Sequence, residues 1–211
     1  MKRLPFTLNA IPWLAVALAG CYLPWVYHRT AGLTFNAIDL AEWVSLAPAV
    51  RDGSVPLLIP LLLRIALVGI ALLCGVRAAI EERKWSRWLY MLLALALAAT
   101  LLPPVDFFKG AFDDPNYRQQ FALAVGTLIG IGVMVVIRRQ ASQNFRWTRI
   151  TWAISIVALL CAVSGNLLAL NVVQSLKLEE TLGGGMFLYG VGLALSVMAQ
   201  AKTGPGDSSP A

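Results

Sequence analysis

Residues 56–76 read PLLIPLLLRIALVGIALLCGV, an apolar run of 21 residues broken only by Arg64. At 1.5 Å of rise per residue this is about 30 Å of helix, the thickness of a bilayer's hydrocarbon core. A charge near mid-membrane costs roughly 2.5–3.5 kcal/mol on insertion scales, so an arginine there turns toward protein or trapped water and takes a partner.

The run is one of several. The chain is 58% apolar and 13% charged, about half the charge of a soluble domain. Apolar segments at 11–28, 56–76, 88–103, 118–137, 150–171 and 183–201 predict an all-α, multi-pass protein of the cell membrane, six transmembrane helices in one bundle over 1–201. The first segment contains Pro12 and Pro24. Cys21-Tyr22-Leu23-Pro24 makes a poor cleavage site, so a removed signal peptide is not expected. Basic residues divide unevenly between the two sides. Eleven fall with Lys2, Arg83, Arg138 and Arg149, and five with Arg29, Arg51, Lys109, Arg118 and Lys177. The positive-inside rule then puts both termini in the cytoplasm. The net charge of +6 follows from short juxtamembrane loops, so no nucleic-acid partner is implied.

Catalytic and metal chemistry find little footing. Cys21, Cys74 and Cys161 all lie in apolar segments, at spacings that match no metal or redox motif. His28 is the one histidine, which excludes a bis-histidine haem or a histidine metal cluster. Its place after Trp25 and Tyr27 reads as an interfacial belt. No nucleotide loop or nucleophile–base pair is found. The expectation is no enzyme, no catalytic residue, no metal and no cofactor.

Two external loops carry local signals. In 29–55, Asn36 can cap a helix near 37–47, with Asp39 and Glu42 early in it and apolar Ile38, Leu40, Ala41 and Val44 on one stripe. It is expected to lie in the interface with Trp43 at headgroup level; the alternative is a lid folded over the bundle. Further on, Asp114-Pro115 reads as a cap and first residue opening the fourth span. The tail 202–211, rich in Gly, Pro and Ser, is expected to be disordered and cytoplasmic.

Small residues mark faces along which transmembrane helices approach closely. Such rows include Arg64, Val68, Ala71 and Gly75 in span 2, Ala122, Gly126 and Gly130 in span 4, Ser155, Ala158, Ala162, Asn166 and Ala169 in span 5, and Gly185, Tyr189, Gly192 and Ser196 in span 6. Arg64 and Asn166 thus point inward, both in the outer half, and could border one outward-facing polar cavity. Gln119, Gln120, Asn171 and Tyr189 would lie nearer its mouth. Asp39, Glu42 and Asp106 are the external carboxylates within reach of Arg64. These five, Arg64, Asn166, Asp39, Glu42 and Asp106, are the candidate residues for ligand binding or buried polar pairing.

Two functions fit. One is a non-catalytic accessory or structural subunit of a larger membrane complex, with the bilayer and other membrane subunits as partners. The other is a small-molecule transport component whose polar site surrounds Arg64 and Asn166. Six spans, internal termini, a long first external loop and the Ala15-x-x-x-Ala19 row resemble the substrate-binding components of energy-coupling-factor vitamin transporters. That resemblance implies ligand capture at the outer end and docking through the Ala15 and Ala19 row.

Overall fold

The structure, a computed structural model, describes residues 10–28, 34–140, 147–175 and 180–201. The expected tail at 202–211 lies outside them.

The fold is built around one helix, α4 (Leu58–Ile80), buried on nearly every side. Against it pack α2 (Ala37–Leu46), α5 (Lys84–Ala99), α7 (Pro115–Gln140) and α8 (Trp147–Ser175). Short helices α3 (Pro48–Arg51) and α6 (Val105–Phe108) turn the connections. The remaining two, α1 (Ile11–Tyr22) and α9 (Gly185–Ala201), pack chiefly on each other, and α9 also meets α8. Helix α4 holds the centre because small residues open it to its neighbours. A Cβ at Gly69 would lie 2.5 Å from that of Ala158, and one at Gly165 would lie 2.9 Å from Leu62, so α4 and α8 touch almost backbone to backbone.

Three helices, Leu58–Ile80, Pro115–Arg138 and Trp147–Gln174, are long and apolar enough to cross a membrane. Helices α1 and α9 are apolar but shorter. At 12 residues, α1 covers only about 18 Å. The outward faces of α5, α7 and α8 are apolar, with Leu92, Ile129 and Leu160 all at least 61% exposed, more apolar surface than water tolerates.

Four sequence expectations are corrected. First, span 1 does not continue as helix to residue 28. Leu23, ahead of Pro24, is extended at φ −80°, ψ 156°, as the proline ring requires. The chain runs on as β1 (Val26–His28), which pairs antiparallel with β2 (Thr34–Phe35) and β3 (Glu180–Leu182) in the order β2-β1-β3. A small sheet therefore joins the otherwise helical fold and ties the exit of α1 to the entrance of α9. Trp25, fully buried, donates Nε1–H to the Gly20 carbonyl at 2.8 Å.

Second, the apolar stripe of α2 faces the bundle rather than lipid. Asn36 caps it, accepting from the Ile38 and Asp39 N–H groups at 2.9 and 3.0 Å. Ala37, Leu40, Ala41 and Val44 are buried at 2% exposure or less, so the helix is folded over the bundle end. Trp43 rests on Phe35, ring centroids 5.5 Å apart. Third, the row at Ala122, Gly126 and Gly130 forms no packing face against the described helices of this chain. Ala122 and Gly126 are exposed, and only Gly130 approaches another helix, at Leu72. Fourth, Tyr189 is at no cavity mouth. It is fully buried and donates its hydroxyl to the Ala66 carbonyl at 3.1 Å.

Candidate functional site

Arg64 lies two turns into α4 and is 4% exposed. Two elements converge on it from the end that carries α2. From α2, Glu42 Oε1 accepts from Arg64 Nη2 at 2.7 Å. From the first turns of α7, Asn116 Oδ1 and Gln119 Oε1 accept from Nη1 at 2.8 and 3.1 Å. Gln120 Nε2 donates to the same Glu42 oxygen at 2.8 Å. The start of α4 itself is drawn in. Pro60 has no N–H to give this first turn, and Leu61 N reaches the Leu57 carbonyl only at 3.4 Å. Gln119 Nε2 meets that carbonyl at 2.9 Å.

Local sequence sets each of these positions. Asp114 Oδ1 accepts from the Asn116 and Tyr117 N–H groups at 2.8 and 3.2 Å, and Pro115 opens the helix behind it. This cap fixes the register in which Asn116, Gln119 and Gln120 share one face. On α2, the Asn36 cap sets Glu42 over α4.

The ion pair is lopsided. The guanidinium is buried, whereas the Glu42 side chain is 46% exposed. A buried charge needs a countercharge and filled hydrogen bonds to be tolerated. Here one carboxylate and two amide oxygens supply them, all from chain segments outside α4.

Beside this cluster opens a cleft of about 660 Å³. Glu42, Ser45, Arg51, Thr100, Asp114, Asn116, Tyr117 and Gln120 give it polar walls. The volume lies in the range of small-molecule sites, roughly 300–1,000 Å³.

Of the five candidate residues, Arg64 and Glu42 come together and three do not join them. Asp39 is exposed, and its Oδ2 accepts from Asn36 Nδ2 at 2.7 Å, inside the helix cap. Asp106 is exposed on α6 and forms no ion pair with Arg64. Asn166 is fully buried on the stripe of Ala158, Ala162 and Ala169, but neither amide atom has a partner among the described residues. Asn116 belongs to the site and was not among the candidates. Its signal was the Asp114-Pro115 start, which places it in the first turn rather than before the helix. No group of three or more metal-binding side chains occurs among the described residues.

The chain matches no protein-family model, no curated protein and no solved structure.

Proposed function

We propose that this chain is a non-catalytic integral membrane protein with six crossings and both termini in the cytoplasm, and that it receives a small polar molecule in its outer cleft, as the binding subunit of a transport system does. The reading rests on geometry rather than kinship. The observation that carries it is the cleft of about 660 Å³ beside Glu42, Asn116 and Gln120. All three are already held in place by hydrogen bonds within the Arg64 cluster. Side chains fixed before a ligand arrives lose little further entropy on binding it.

A ligand is expected to survive mild-detergent purification from the native membrane and to be detected by native mass spectrometry. Thr100→Val and Tyr117→Phe, which remove hydroxyls from the wall without touching the ion pair, should each lower its retention severalfold. An empty cleft in protein taken directly from the membrane would refute the binding reading.

A second reading is an accessory or structural subunit. The internal balance of Arg64 favours it, because a guanidinium already met by Glu42, Asn116 and Gln119 has its acceptors without any ligand. The exposed Ala15 and Ala19 on α1 leave a small-residue row open to a partner helix. On this reading the same purification yields stable partner proteins and no small molecule.

The orientation carries its own expectation. Ser54 and Gly110 are exposed. In a variant lacking the native cysteines, cysteine at either position should react with an impermeant reagent from outside. Cysteine at position 142, outside the described residues, should react only after permeabilisation. External labelling at 142 would invert the assignment.

A further inference from the structure

The end of the bundle opposite Glu42 gathers positive charge around the last turn of α4. That helix ends with Glu81 as its C-cap, where carbonyl groups concentrate the negative end of the helix dipole. Arg87, in the first turn of α5, donates from Nε and Nη2 to the Glu81 carbonyl at 3.1 and 2.9 Å. Arg138, near the end of α7, donates from Nη1 to the same carbonyl at 3.2 Å. One neutral oxygen therefore draws two full positive charges together. Neither arginine forms an ion pair among the described residues, where the ion pairs are those of Arg64 and Arg118. The Glu81 carboxylate is turned toward the Arg83 N–H at 3.2 Å. Nearby sequence does not correct the imbalance. Residues 139–146 contain no acid, and Arg77, Arg83, Lys84 and Arg139 add to the surplus over Glu81 and Glu82.

These two guanidiniums line a groove of about 330 Å³ together with Ala78, Ala79, Trp88, Met91 and Val135. Met91 lies one turn further along α5 than Arg87, and Val135 lies about one turn before Arg138 on α7. Both are thus displaced from the arginines toward the middle of the bundle. Charge at one end and apolar wall along the rest suit a lipid, with its headgroup at the arginines and an acyl chain below. Trp88, in the groove wall, is 56% exposed, and Trp85, about one turn before it on α5, is 87% exposed; exposed tryptophans of this kind form the aromatic belt at headgroup depth.

We infer that the groove between α5 and α7 at the end of α4 is a binding site for an anionic phospholipid, its phosphate bridging Arg87 and Arg138. A phosphodiester offers the planar guanidinium forks paired acceptor oxygens and the missing negative charge. Basic pockets between transmembrane helices on the cytoplasmic side recognise anionic headgroups in this way. The inference rests on the membrane orientation proposed above but not on the outer cleft.

Native mass spectrometry of the full chain, supplied with equal amounts of phosphatidylglycerol and phosphatidylcholine, tests it. The unmodified protein is expected to retain phosphatidylglycerol preferentially. Losing both arginines in Arg87→Gln/Arg138→Gln should lower that retention about thirtyfold, at roughly fivefold for each basic residue near the surface. Arg149→Gln, which removes an exposed charge on α8 outside the groove, should leave it unchanged. Equal retention of the two lipids by the unmodified protein overturns the site, whether or not the double variant folds. An equal loss in Arg149→Gln also overturns it, in favour of diffuse attraction to a basic surface. Displacement of the lipid by inorganic phosphate at matching concentration would assign the groove to a free anion instead.

Discussion

Glu42→Leu is expected to destabilise the protein by about 3 kcal/mol, more than Arg64→Met, although Arg64 is the buried member of the pair. Leucine at 42 strands a guanidinium that is 4% exposed, leaving it only the amide oxygens of Asn116 and Gln119. It also removes the acceptor of Gln120. Methionine at 64 removes the charge that is costly to bury and returns a carboxylate that already sees water, at a cost of about 1 kcal/mol. The double variant Glu42→Leu/Arg64→Met should recover most of the Glu42→Leu loss, because two apolar side chains then meet where two charges did. Unfolding of the four proteins in mixed micelles measures the cycle. If Arg64→Met costs as much as Glu42→Leu, or if the two losses simply add, the pair is not what holds α2 down.

The other large effect belongs to the α1–α9 contact. A Cβ on Gly192 would collide with the backbone of Ala17, and one on Gly20 with the backbone of Tyr189. Backbone cannot yield as a flexible side chain does, so Gly192→Leu must push the two helices apart. The expected loss is about 3 kcal/mol or more, at the upper end for overpacking. Gly132→Ala is the matched control. Nothing lies within 4 Å of a Cβ there, and alanine favours helix by up to about 1 kcal/mol. Thermal melts in one detergent should separate the variants widely. Comparable melting temperatures would mean that α1 and α9 do not touch as closely as their glycines imply.

Features that depend on neighbours in sequence were legible in the chain. Asn36 and Asp39 signalled the start of α2, and Asp114-Pro115 the start of α7, because caps act within one turn. Depth along a helix was also legible, and it put Glu42 within reach of Arg64. Competition between partners was not. Asp39 has the right charge and nearly the right depth, but the Asn36 amide captures it in the cap. Asp106 is set on α6, where Phe107 packs against Phe108, Phe112 and Phe121. Asn166 was assigned to an inward face and is buried there, yet facing inward does not select a neighbour, and its amide hydrogen-bonds to none of the Arg64 cluster. The row at Ala122 and Gly126 misled for a related reason. Small residues permit close approach without requiring it, and lipid covers an exposed glycine face as well as a helix does. The lid position of α2 was equally hidden. An amphipathic stripe suits lipid and protein alike, and only the burial of Leu40 and Val44 shows that this one meets the core.

The pairing of α1 with α9 has a consequence in time. Ribosomal synthesis proceeds at roughly 5–20 residues per second, so the 163 residues from Tyr22 to Gly185 take about 8–33 s to follow α1 out of the ribosome. For that interval a helix of 12 residues has neither its main helical neighbour nor β3 to seal its exit. A helix made well before its neighbour is thus secured late. A ribosome stalled between Tyr22 and Gly185 would display an unseated α1 to whatever quality control surrounds it.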